Sequence, residues 1–140
     1  MTSKERKVFT YTNIIVSMIG MIYFILKYFF QVETEYGILP HKQTPYWLHL
    51  HIISVPFLIF LTGYLYRVHI GPKLNSGNPK RSISGVSILT SFGFMVISGY
   101  LLQIGLKDKF NVQAAWIHII TSFIWLLGYL WHFRFNFSKN

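Results

Sequence analysis

The chain has 140 residues, room for one domain, and 52% of them are apolar while only 12% are charged; four long apolar runs account for most of it, which excludes a soluble fold. There is no cysteine, so disulfides, thiolate-held iron–sulfur clusters and covalent c-type haem attachment are excluded. The net charge of +9 would suit nucleic acid if it formed one face, but the basic residues sort by loop instead, and a nucleic-acid partner is not expected.

The apolar runs predict membrane helices at Val8–Phe30, Tyr46–Ile70, Ile83–Ile104 and Val112–Phe135. The expected fold class is all-α: an integral membrane four-helix bundle, one domain over residues 1–140. Lys4, Arg6 and Lys7 at the start, Arg67, Lys73, Lys80 and Arg81 in the middle connection, and Arg134 and Lys139 at the end hold nine of thirteen Lys and Arg residues. That alternation is the positive-inside pattern and predicts both termini on the cytoplasmic side. The basic start resembles a signal peptide, but the run is too long and lacks a small-residue cleavage site, so it is expected to stay as the first helix.

The first span carries Gly20 and no histidine, its polar content being mostly hydroxyls such as Ser17 and Tyr23. The outer connection that follows, with Gly37 and Pro40 as turn formers, is the place for a short surface element or a partner contact. The second span opens on the interfacial pair Tyr46 and Trp47 and carries His49, His51 and His69. His51 and His69 are 18 positions apart, five full helical turns, and share a face; His49 points elsewhere and reads as a rim histidine. Pro56 should kink this helix, and Gly71-Pro72 should end it.

The third span has no histidine but carries Gly85 and Gly99, 14 positions apart. A short turn around Lys107–Asn111 leads to the fourth span, where His118 and His132 are also 14 apart. Fourteen steps fall only ~40° short of four turns, so these two imidazoles leave one face, ~21 Å apart along the axis. An internal repeat aligns the surroundings of Trp47 and His51 with those of Trp116 and His118. The second and fourth spans run in the same direction in a four-span chain. Their histidines then pair by depth, His51 with His118 near the outer side and His69 with His132 near the inner side.

Ionisable side chains are costly in hydrocarbon, so paired intramembrane histidines are functional by default. Each pair offers two imidazole nitrogens to one iron, as in a six-coordinate b-type haem, and two such haems would carry electrons across the bilayer. Gly85 and Gly99 would let a flat macrocycle approach the third helix; Thr90, Ser91 and Ser98 would orient imidazoles or backbone. Arg67 and Arg134 stand where inner propionates would emerge, together with Lys73 and Arg81.

This pattern resembles the N-terminal four-helix di-haem module of cytochrome b in bc-type quinol oxidoreductases, and the small four-span di-haem relatives of that family. His118 and His132, with Gly85 and Gly99, match the family's 14-residue spacing; the 18-residue spacing of the second span departs from it, and the first span lacks a glycine pair. The resemblance implies two haem b groups, with His51, His118, His69 and His132 as iron ligands. It also implies a subunit of a membrane respiratory complex that exchanges electrons with quinone or a partner redox protein, in an energy-transducing membrane such as a bacterial inner membrane. Anionic lipid is a further use for the middle-loop cations. Two other readings stand beside it. One is a single-haem quinone-reactive membrane anchor. The other is a non-redox subunit or a metal or proton transporter, for which ligand levels ~21 Å apart are too distant to form one metal site.

Overall fold

The computed structural model describes residues 2–35, 37–75, 79–105 and 107–137, the side chains of 73–74, 79–84 and 133–137 apart. The chain is predominantly helical, and four helices among the described residues are long and apolar enough to cross a membrane. Its contacts divide into two compact units, residues 1–72 and 73–140. Each is a helical hairpin.

In the first unit, α1 runs Ser3–Tyr28. It starts where Thr2 and Glu5 satisfy each other. The Glu5 amide donates to Thr2 Oγ1 at 3.2 Å and the Thr2 amide to Glu5 Oε2 at 2.6 Å, so two donors with no helical partner are bonded reciprocally. Past the far end, the Gln31 side-chain amide donates to the Lys27 carbonyl at 2.9 Å. The outer connection forms the surface element expected from its turn residues. Strands β1 (Val32–Thr34) and β2 (Gly37–Leu39) pair antiparallel, Glu33 opposite Ile38. Gly37 adopts φ 115°, a conformation open to residues without a Cβ, and its carbonyl accepts from Thr34 Oγ1 at 2.8 Å.

Helix α2, Thr44–Leu65, begins with Pro45 in its first turn, where the missing N–H costs nothing. His41 sets up that entry, since its Nδ1 accepts from the Gln43 amide and its carbonyl from the Thr44 amide. Pro56 is carried inside α2 without ending it. Helices α1 and α2 are antiparallel. Gly20 meets His51 in their middle, while Tyr64, near the end of α2, donates to Glu5 Oε1 at 2.6 Å beside the start of α1.

The membrane-length span ends at Ile70, where Gly71-Pro72 is expected to end it, although the backbone stays helical beyond that point. The backbone goes on through a π turn, Tyr66–Ile70, into a short helix α3, Gly71–Leu74. The Gly71 amide reaches back five residues to the Tyr66 carbonyl, and Pro72, having no N–H, places no competing donor one residue further on. A Cβ on Gly71 would stand 3.1 Å from that carbonyl oxygen. The absent side chain lets the wide turn close.

The second unit pairs α4, Pro79–Ile104, with α5, Asp108–Phe137. Gly105 turns the chain between them at φ 72°. Helix α5 begins sooner than the sequence suggests, because the Lys107 carbonyl accepts the amides of Phe110 and Asn111 at 2.9 and 3.0 Å and closes the first turn. These helices are antiparallel too. From the Gly105 end downward, Gly99 meets His118, Ser91 Oγ donates to the Thr121 carbonyl at 2.9 Å, and Ile88 fills the space beside Gly128. Phe92 packs on Trp125 with ring centroids 4.6 Å apart, and Trp125 stacks on Tyr129.

Much of the remaining helix surface is exposed and apolar, Phe57, Phe60, Ile97 and Leu127 among it. A soluble protein would not leave such faces bare, and a bilayer covers them.

Candidate functional site

One stripe of α1 turns toward α2. Phe9, Asn13 and Val16 are buried along it, and Gly20 continues it at the next turn. The ring of His51 occupies the gap that Gly20 leaves. A Cβ on Gly20 would lie 2.8 Å from His51 Cε1 and 3.1 Å from Nδ1, closer than real side chains pack. The carbonyl of His51 accepts from Ser54 Oγ at 2.9 Å.

The second unit repeats this seat. A Cβ on Gly99 would lie 3.0 Å from His118 Cε1 and 3.2 Å from Nδ1. Each histidine's carbonyl also accepts from a hydroxyl one turn on, His51 from Ser54 at 2.9 Å and His118 from Ser122 at 2.6 Å. Leu58 and Trp125, both buried, each follow their histidine by seven residues. The internal repeat seen in the sequence is thus a repeat of local structure. In each hairpin a histidine of the second helix lies over a glycine of the first.

His118 is further tied down. Its Nδ1 is 2.8 Å from the carbonyl oxygen of Met95 and 3.4 Å from Ser98 Oγ. A carbonyl only accepts, so Nδ1 carries the proton, and in the neutral ring the lone pair is on Nε2. A backbone carbonyl on one ring nitrogen is the arrangement that leaves an imidazole ready to ligate with the other.

The remaining expected residues are not gathered in this way. His69 lies in the π turn and is half-buried; Arg67 precedes it and is exposed. The regular five-turn phase expected between His51 and His69 therefore does not run uninterrupted through α-helix. The position 14 after His51 is Leu65, which is buried. His132 is half-buried in α5, and the side chain of Arg134 is outside the described residues, as are those of Lys73 and Arg81. A Cβ added to Gly85 would meet no described atom within 4 Å, so Gly85 makes no contact like that of Gly99 with His118. Thr90 is exposed, and Ser91 binds the α5 backbone, one of the two roles expected of it. Among the described residues no three His, Asp or Glu side chains gather as a metal cluster.

Sequence reasoning misses two residues. Gly20 lacks a glycine partner at the family spacing, so nothing in the sequence marks its contact with His51. Asn13 is fully buried in the first span, and its place on the Phe9–Val16–Gly20 stripe is the signal that could have found it.

The seats bear on whether haem suits these residues. Both histidines are held by close backbone approach at glycine, and His118 has the tautomer a metal needs. The donor set, neutral imidazole without cysteine, is that of a non-covalent b-type haem. Each ring, within its own hairpin, has the donor chemistry that would suit such a group. Against known protein families, curated proteins and solved structures, the chain has no match.

Proposed function

We propose that this chain is a membrane b-type cytochrome whose haem would be held by His51 and His118. It acts as an electron-transfer subunit of a respiratory complex, exchanging with quinone or a partner redox protein. The observation that carries this reading is the repeated seat, a histidine over a glycine in each hairpin, with His118 Nδ1 donating to Met95. A hydrogen bond between two histidines would need neither glycine.

A bound haem would supply one-electron exchange between ferric and ferrous iron. The chain's own contribution is orientation. Gly20 and Gly99 fix where each ring lies, and the Met95 carbonyl holds the Nδ1 proton so that Nε2 stays basic.

The π turn at His69 supports a reading with one haem over one with two. His69 lies in the π turn, four positions beyond the buried Leu65 that holds the place corresponding to His132. Four residues are ~6 Å of helix. The proposed second haem, with His69, His132, Arg67 and Arg134 around it, has less behind it than the first. Both termini are proposed to face the cytoplasm, on the charge pattern of the connections.

The test is a reduced-minus-oxidised spectrum and the haem-to-protein ratio of the purified chain. A b-type spectrum with one haem per chain is expected, lost in His51→Ala and in His118→Ala. A ratio of two restores the transmembrane pair. A colourless protein, purified from haem-replete cells, overturns the cytochrome and leaves the transporter class.

A further inference from the structure

The hydroxyl of Ser98 is buried on α4, one residue before the glycine that seats His118. Its Oγ is 2.6 Å from the Phe94 carbonyl, 3.1 Å from the Met95 carbonyl and 3.4 Å from His118 Nδ1. A hydroxyl has a single proton, and the shortest contact claims it, so Ser98 donates to Phe94. Its lone pairs are then turned outward beside a ring nitrogen that already donates to Met95. The Nδ1 proton of His118 is shared between a strong acceptor, the Met95 carbonyl at 2.8 Å, and a weaker one, Ser98 Oγ.

From this arrangement we infer that Ser98 is a positioning residue that makes His118 more electron-rich. A second acceptor on Nδ1–H draws the proton outward and raises electron density at Nε2. The first hairpin has no hydroxyl at the matching position. With Gly20 matched to Gly99, the place of Ser98 is taken by Ile19, which carries no side-chain oxygen. An electron-rich axial imidazole stabilises ferric iron over ferrous, so Ser98 lowers the haem potential. This consequence rests on the proposed cytochrome; the hydrogen bond itself does not.

Ser98→Val and Ser98→Thr separate the hydroxyl from the volume, since the two replacements have nearly the same shape and only threonine keeps the oxygen. In Ser98→Val the reduced-to-oxidised ratio at a fixed ambient potential should rise about twofold, the low end of what one hydrogen bond supplies; Ser98→Thr should stay at the wild-type value. In the haem-free protein, the Nδ1 proton resonance of His118 should move upfield in Ser98→Val and not in Ser98→Thr. Equal proton shifts in the two variants overturn the inference, whether or not haem binds. A colourless preparation defeats the cytochrome alone and leaves the resonance to decide the role of Ser98. Haem present with moved resonance but equal potentials overturns the claim that the hydroxyl tunes the iron.

Discussion

His51 lies on Gly20 so closely that a methyl group on the glycine would sit 2.8 Å from the imidazole Cε1. His118 lies on Gly99 in the same way, with 3.0 Å to the same atom. Glycine is usually a weak point in a helix, about 1 kcal/mol worse than alanine. Keeping it at both crossings makes sense when the histidine must come that close.

Replacing these glycines should therefore separate stability from function. In Gly20→Ala and Gly99→Ala the helices gain propensity of about 1 kcal/mol, while the ring must slide off its seat. Both variants should insert and fold, with unfolding midpoints in detergent no lower than wild type, yet retain less haem. Gly20→Ala should lose more, having the shorter contact. Equal haem content in wild type and both alanine variants would show that the seat does not position the ligand.

The π turn sets His69 apart from the other histidines. His69→Ala should leave the haem-to-protein ratio of the purified chain unchanged, whereas His118→Ala should abolish it. Loss of one of two haems in His69→Ala would establish the inner level that the 18-residue spacing suggests.

Ser91 joins α4 to α5 through its bond to the Thr121 carbonyl at 2.9 Å, and it is buried. Interhelical bonds of this kind contribute about 0.6 kcal/mol in a membrane, because the separated helices find other partners. Ser91→Ala should lower the unfolding free energy by that order and leave haem content alone. The readout is denaturant unfolding in mixed micelles.

Gly71 allows the wide turn to close on the Tyr66 carbonyl, 3.1 Å from where a Cβ would be. Gly71→Ala should be close to neutral, since the helix gain of about 1 kcal/mol offsets a shift of a few tenths of an ångström. Gly71→Val adds branching at the same point and should lower the thermal midpoint clearly below that of Gly71→Ala. Identical midpoints would mean that the turn has room to spare.

The spans themselves are legible from the residues. All four membrane-length helices cover the predicted ranges, with ends moved by a few positions. The reason is that an apolar run of this length is a local property, decided by transfer into hydrocarbon before any helix meets another. The surface element after the first span is legible too, from Gly37 and the turn residues around it. So are the histidines of the second and fourth helices, and Ser98 as a companion of an imidazole.

What only the folded hairpins decided is which residues meet. Gly20 and Gly99 look alike in the sequence only once the register between antiparallel helices is known, and that register comes from packing across the hairpin. The burial of Asn13, the Met95 carbonyl as partner of His118, and the π turn that carries the chain past Gly71-Pro72 belong with them. Helix formation is set by each segment's own composition, but a contact between helices depends on side chains distant in sequence coming to the same height. Periodicity places a residue on a face; it cannot say what lies opposite.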